Sequence, residues 1–308
     1  MHTYRTALVT GGAGFIGSHL VDALVERGLR VVVVDIATPK DDIKNSKAEY
    51  VKFDIREKGL LGVFMEHLPD VVFHLAAHID DRVSVTDPAL DAKQNILGSI
   101  NVFECAKESK VKKLLFASTS VVYGNAAKPP FTEKTVPKPM TPYAISKLTG
   151  ERYLNFYFHQ YGIPYVALRI GNVYGPRQDG SKESGAVAIF TNKLLANEPP
   201  FMNDDGLTVR DYVFVDDVVS AFLAALETPV VGVFNVATGV GHNTHRVYDL
   251  VARAVGTQIV PLPRPQVRDA IKSVILKSRK AKRELGWKAR TKFAKGVRLT
   301  VDWYKQRL

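Results

Sequence analysis

Tyr143 and Lys147 stand four residues apart in Thr141-Pro-Tyr-Ala-Ile-Ser-Lys147, twenty-four residues beyond Thr119 in Phe116-Ala-Ser-Thr-Ser120. On a helix, positions i and i+4 share a face, so this spacing sets a phenol beside an ammonium. A free tyrosine titrates near ~10 and is a poor base at neutral pH. A neighbouring cation favours the phenolate and lowers that value. Thr141 reads as an N-cap and Pro142 as the first helical residue, which puts Tyr143 in the first turn. The positive end of the helix dipole would favour the phenolate there as well. The chemistry on offer is that of an activated base. The same spacing also fits an exposed helix with an ordinary Tyr and Lys, and the elements around the pair have to decide.

Those elements alternate. Thr6-Ala-Leu-Val-Thr10 reads as a short buried strand, followed by Gly11-Gly-Ala-Gly-Phe-Ile-Gly17 and a helix with Leu20, Ala23 and Leu24 at helical spacing and Gly28 as its C-cap. Val31–Val34 is a continuous apolar run suited to a parallel strand buried on both faces. Val71–Leu75 and Lys113–Ala117 repeat the pattern around a helix near residues 89–109, and Val166–Ile170 follows the Tyr143 helix. The expected fold is α/β, a doubly wound parallel sheet of Rossmann type. Right-handed crossovers gather the strand C-termini at one edge, where open α/β sheets bind ligands. Gly11–Gly17, Leu75-Ala76-Ala77, Ser118-Thr119 and Gly171-Asn172 all follow strands and meet there. After Asn172 the regularity breaks. Residues 173–210 hold one helix near 186–197, Val209–Val215 resumes as a strand, and Asp216 is placed as the cap of the helix through 226. The expected division is a nucleotide-binding domain of residues 1–172 plus about 211–257, with 173–210 plus about 258–308 as a smaller substrate-binding lobe.

Gly12-x-Gly14-x-x-Gly17 lies between a strand and a helix, the context in which such a loop cradles a pyrophosphate at the helix N-terminus. Gly11, Gly14, Phe15, Ile16 and Gly17 form the expected cradle. Asp35 ends the second strand, 18 residues after Gly17, where a carboxylate accepts bonds from ribose hydroxyls and repels a 2′-phosphate. No arginine flanks it, so the expected cofactor is NAD rather than NADP. Phe53-Asp54-Ile55 suits an adenine edge, with Asp54 receiving the exocyclic amine.

The 308 residues are 46% hydrophobic and 24% charged, ordinary for a soluble globular chain. The lone Cys105 excludes an internal disulfide and a multi-cysteine metal site, and it reads as a small core residue. Neither a signal-peptide pattern in residues 1–10 nor an apolar run of the ~20 residues a membrane span needs is present, so a cytoplasmic location is expected. The net charge of +11 suggests nucleic acid until it is located: residues 261–308 hold 15 Lys and Arg against 3 Asp and Glu, and the rest is balanced. A solvated basic face beside an anionic substrate accounts for that, and a polyanion contact is the alternative.

With these residues in hand, the chain resembles the extended short-chain dehydrogenase/reductases over nearly its whole length, and among them the UDP-glucose 4-epimerases. The resemblance is carried by Thr10–Leu20, His74–Ala77, Phe116–Gly124, Pro142–Leu148, Leu168–Gln178, Arg210–Val219 and Lys280–Trp287. It implies that Tyr143 is the acid and base for a sugar hydroxyl, that Lys147 holds the nicotinamide ribose and lowers the tyrosine's pKa, and that Thr119 bonds the same hydroxyl. It further implies that Asn95 and Ser118 contact the cofactor, and that Asn172, Arg210 and Arg264 meet the substrate diphosphate, where an arginine fork can donate bidentately. Val187 and Val274 complete the substrate set, with Val274 near the sugar C2 substituent, where a small residue would admit N-acetylated UDP-hexosamines. His78 stands where such epimerases often carry Gln, and Lys277 where Asp is usual.

The reaction so implied is NAD-dependent 4-epimerisation of a UDP-hexose. Tyr143 takes the C4 hydroxyl proton as hydride leaves C4, the 4-keto sugar turns over, and hydride returns to the opposite face. Relatives that dehydrate the intermediate carry Asp-Glu after the threonine, and decarboxylating relatives carry Glu two residues after it. Ser120-Val121 offers neither. Alternatives are a UDP-glucuronate 4-epimerase, another NAD-dependent nucleotide-sugar oxidoreductase, or a non-catalytic NAD-binding sensor with a basic RNA- or partner-binding tail. A homodimer through the helices near 95–109 and 143–160 is also implied, with Tyr153, Leu154, Phe156, Tyr157 and Phe158 exceeding one buried face.

Overall fold

The computed structural model describes residues 4–124, 126, 128–180, 185–203, 206–264 and 271–307. The first half runs β1 (Thr6–Thr10), α1 (Phe15–Glu26), β2 (Arg30–Asp35), β3 (Glu49–Lys52), α2 (Leu60–His67), β4 (Val71–His74), α3 (Asp81–Thr86), α4 (Pro88–Asp91), α5 (Gly98–Glu108) and β5 (Lys113–Thr119). The second runs α6 (Pro142–Tyr161), β6 (Tyr165–Ile170), β7 (Asn172–Tyr174), α7 (Ala186–Leu195), β8 (Phe201–Asn203), β9 (Val209–Phe214), α8 (Val215–Glu227) and β10 (Gly232–Val236). It closes with β11 (Gly241–Asn243), α9 (Thr244–Val255), β12 (Leu262–Arg264), β13 (Ser273–Val274), α10 (Arg279–Glu284) and α11 (Phe293–Lys305).

Seven strands form one sheet in the order β10-β6-β5-β4-β1-β2-β3, and every pairing in it is parallel. The apolar runs explain why: Val31 through Val34 and Val71 through Phe73 are at most 1% exposed, so both sheet faces are covered. One core layer packs α1 and α8 residues such as Leu20, Leu24 and Phe222 on the sheet, and the other packs Phe64, Phe103, Leu154 and Tyr157 from α2, α5 and α6. Burying such side chains contributes about 1.5–3 kcal/mol each. Registers Thr10↔Val34, Thr10↔His74, His74↔Phe116 and Thr119↔Ile170 align the strand ends, so the residues that follow them share one edge.

The lobe boundary differs from expectation. β9 pairs with β7, β11 and β13 rather than with the large sheet, and α9 packs through Val247 and Val251 with Phe190 and Leu194 of α7. α8 and β10 return to the large sheet, as do Ala281, Leu285 and Trp287 near the C-terminus, while Phe214 at the end of β9 packs in the lobe's core. Asp216 is also not the cap of α8. Val215 already starts the helix and Asp216 sits in its first turn. Its neighbour Asp217 accepts the backbone N–H groups of Arg290 and Thr291, fastening the C-terminal segment. The two units are stitched at the glycine helix: Phe15 and Ile16 pack on the lobe's core, Arg177 pairs with Asp22 at 2.8 Å, and the His19 ring meets the Pro176 carbonyl at 3.0 Å.

Candidate active site

At the end of β1 the chain turns through Gly11, whose φ of +74° suits glycine. A Cβ on Gly17 would lie 2.1 Å from the Gly11 carbonyl oxygen, so only glycine lets α1 start this close to the strand. The helix N-cap, Gly14, has no side chain to bond the first-turn N–H groups, which leaves that terminus suited to an anion. Asp35 ends β2 beside this loop, with Oδ2 accepting the Ala13 N–H and Oδ1 the Ala37 N–H, both at 3.0 Å. A cradle that a methyl group would fill, followed by a carboxylate held at the next strand end, fits a dinucleotide.

Asp54 and Ile55 lie one strand further out. Arg56 holds Asp54 bidentately and keeps its carboxyl below the usual range, so an adenine amine would share that carboxylate with a guanidinium. The side chain of Ile55 turns into the core and Asn101 takes its carbonyl at 2.6 Å. Leu75, Ala76 and Ala77 are half-buried at the end of β4, beside the glycine loop.

The Tyr143 helix starts as its sequence dictates. Thr141 is the N-cap, accepting the Ala144 N–H at 3.3 Å, and Pro142 opens the first turn. Tyr143 is half-buried, and Lys147 is 4% exposed with its ammonium 6.0 Å from the centre of the Tyr143 ring. Lys147 donates to the Ala117 carbonyl on β5 at 2.9 Å, so it fastens α6 to the strand that carries Thr119. Burial pulls its pKa down to about 8, against the opposing charge of Asp91. The Thr119 hydroxyl accepts the Val121 N–H at 3.3 Å, which leaves its hydrogen to donate elsewhere. Ser120 and Val121 then begin a short 3₁₀ turn through Tyr123, with no carboxylate after Thr119.

Ser118, Asn95 and Val187 each have partners within the chain. Ser118 points to the opposite face of β5 from Thr119, as strand alternation requires, and its buried hydroxyl donates to Glu151 at 2.5 Å. Glu151 also grips Arg169 bidentately, so Ser118 belongs to a buried clamp between α6 and β6. Asn95 is 3% exposed, and its carboxamide accepts the His78 N–H while donating to the His78 carbonyl and to Asp91. It shapes the loop after β4. The His78 backbone is thus clamped, while its ring Nδ1 is buried without a partner. Val187 is 0% exposed inside α7's core and offers no side-chain surface.

On the lobe side, Asn172 starts β7 directly after β6, pairing across to Tyr212, and Arg210 lies two residues earlier on β9. Arg210 donates to the Val209 carbonyl at 2.9 Å. Its neighbour Asp211 accepts bonds from Thr238, Gly239 and Leu276, which locks β9 to the loop before β11 and to the residues after β13. Val274 pairs with Arg210 but is 1% exposed, packed with Val122, Tyr123, Phe131 and Leu276. Arg264 is exposed, its guanidinium 4.5 Å from the centre of the Phe201 ring. Sequence reasoning missed Glu151, Arg169, Asp91 and Ser146. The i, i+4 spacing of Lys147 to Glu151 and of Asp91 to Asn95 was the available signal.

Residues 7–237 match the NAD dependent epimerase/dehydratase family. The UDP-glucose 4-epimerase of Mycolicibacterium smegmatis is 40% identical over 308 residues, covering 97% of this chain and 98% of that one. The crystal structure of the Thermotoga maritima UDP-glucose 4-epimerase with UDP-glucose superposes with a TM-score of 0.95 at 41% identity, covering 98% of this chain and 99% of the other. That of the Thermus thermophilus enzyme with NAD gives 0.93 at 40% identity, over 99% and 100%. The chain belongs to the NAD dependent epimerase/dehydratase family, within the extended short-chain dehydrogenase/reductases.

Proposed function

We propose that this protein is an NAD-dependent UDP-hexose 4-epimerase acting on UDP-galactose and UDP-glucose. One juxtaposition carries the reading: the glycine cradle with Asp35, and the Tyr143–Lys147 pair fastened to the Thr119 strand, meet at one sheet edge. The glycine loop and the N-terminus of α1 would hold the pyrophosphate, Asp35 the adenosine ribose, and Lys147 the nicotinamide ribose. Bound there, NAD supplies the acceptor and then the donor of one hydride. Tyr143 takes the proton of the sugar's C4 hydroxyl, Thr119 donates to the same oxygen, and Tyr143 later returns the proton. Lys147 assists while charged, because a nearby cation favours the phenolate. Asn172, Arg210 and Arg264 would bind the diphosphate from the lobe, with Arg210 the firmest because β9 is locked by Asp211.

The residues after Thr119 separate this chemistry from its neighbours. Removing a C5 proton or directing loss of a carboxylate needs a helper that Ser120 and Val121 cannot provide, so the ketone is reduced again. The burial of Val274 withdraws the support it lent to N-acetylated sugars. A homodimer fits the helices α5 and α6: Leu154 and Tyr157 are buried, while Ile145, Tyr153, Phe156 and Tyr161 remain between 36% and 47% exposed on one chain. The test is product analysis of the purified protein with UDP-galactose, UDP-glucuronate and UDP-N-acetylgalactosamine, each without added reductant. UDP-glucose from the first, with little conversion of the others, is expected. Conversion of the uronate alone would overturn the assignment.

A further inference from the structure

Asp91 ends α4 and is 1% exposed, yet no role described so far uses it. Its two carboxylate oxygens serve two different elements. Oδ2 accepts the Ser146 hydroxyl at 2.5 Å, and Oδ1 accepts the Asn95 carboxamide at 2.7 Å. Ser146 immediately precedes Lys147 on α6. Asn95 lies on a π-helical turn, Ala92–Leu97, and clamps both backbone groups of His78, next to Ala77 in the cofactor cradle. Single π turns recur at functional sites. A buried carboxylate with two neutral donors and no bonded cation is expensive unless a positive charge stands near it. The titratable groups acting on or facing Lys147 are Tyr143 on its own helix, His74 on β4 and Asp91 from α4. His74 is fully buried between the Thr10 and Ser99 hydroxyls, and burial together with Lys147 pulls it down to about 3, so it stays neutral. Asp91 is therefore the carboxylate of the three, and it reaches α6 through Ser146, the residue before Lys147.

We propose that Asp91 is a positioning residue of this site: through Ser146 and Asn95 it ties the Tyr143 helix to the cofactor cradle, and it is the counter-charge that keeps Lys147 an ammonium. The role rests on the epimerase reading for its purpose but not for its test. A lysine that is buried loses its proton more readily. Neutral Lys147 would no longer assist Tyr143.

The experiment follows the Lys147 titration by NMR in protein labelled with ¹³C,¹⁵N-lysine, the signal assigned by its loss in Lys147→Arg. Asp91→Asn keeps the shape and removes the charge. It should lower the Lys147 midpoint by about one pH unit, a tenfold change in its proton affinity. Ser146→Ala cuts the tie and keeps the charge, so the midpoint should stay while kcat for UDP-galactose falls severalfold. Asp91→Glu retains the charge and should keep the midpoint near that of the wild type even if kcat drops. In Asp91→Asn the alkaline limb of kcat should move down with the midpoint, with KM little changed. An unmoved midpoint in folded Asp91→Asn overturns the proposal, as does a midpoint that falls in Asp91→Glu. Should Asp91→Asn not fold, Asp91→Ser is the second neutral variant. If the wild type proves inactive on UDP-sugars, the midpoints still decide the role of Asp91 while the epimerase assignment fails separately.

Discussion

The half of the molecule built on the parallel sheet and the half formed by the smaller lobe are built differently. In the first, seven parallel strands fix the geometry through backbone. The glycine turn has no room for a methyl group, Lys147 is bonded to a strand carbonyl, and the Glu151–Arg169 pair locks α6 to β6. In the lobe the strands are short: β7, β8, β11 and β12 have three residues each and β13 has two. Of the two arginines proposed for the diphosphate, Arg210 lies on the longer β9 and Arg264 is exposed on β12. The difference teaches a division of labour. On the proposed function, reaction geometry is set before a ligand arrives, whereas substrate affinity is left to side chains that can reach.

That contrast can be broken in order of effect. Tyr143→Phe removes the base and leaves the fold, so kcat for UDP-galactose should fall by about 10²–10⁴ with KM nearly constant. A KM effect equal to the kcat effect would show Tyr143 to be a binding residue. Gly17→Ala places a methyl against the Gly11 carbonyl, so α1 must shift from the strand. NAD should be lost on gel filtration, read by the absorbance of the released nucleotide, while UDP binding by calorimetry persists.

Glu151→Gln tests the rigid half directly. It leaves buried Arg169 without its counter-charge, which typically costs about 3–5 kcal/mol. Urea unfolding measures that, and an unchanged midpoint would show that the buried clamp adds little. Arg210→Ala probes the reaching half. Hydrogen bonds to charged groups contribute about 1.5–3 kcal/mol, so KM should rise roughly 10- to 150-fold with kcat changing much less. The smallest effect is on pH. Lys147 assists as a cation, and burial brings its midpoint to about 8, so kcat should decline as pH rises through that value. A rate still climbing well above pH 8 would detach Lys147 from the base.

Much of the first half was legible in the sequence. The Val31–Val34 run, the spacing from Gly17 to Asp35, and Thr141-Pro142 before Tyr143 each follow from local rules, and the structure has the corresponding strand, carboxylate and N-cap. What stayed hidden depends on side chains meeting across elements. Ser118 meets Glu151 across β5 and α6, and Asn95 bonds His78 and Asp91, contacts that no local rule announces. The partners of β9 stayed hidden for a related reason. β9 carries Arg210 and Asp211 before its apolar end, and nothing local says that its partners are β7, β11 and β13. Val187 and Val274 were placed by resemblance alone, and the core claims both.

The central claim is that one hydride leaves C4 and comes back. It is tested by incubating the purified protein with UDP-galactose deuterated at C4, in ordinary water, and examining the UDP-glucose by mass spectrometry and NMR. Deuterium retained at C4, with no reduced nicotinamide accumulating, is the expected result. Loss of the label to solvent, or a 4-keto sugar building up alongside reduced cofactor, would contradict it.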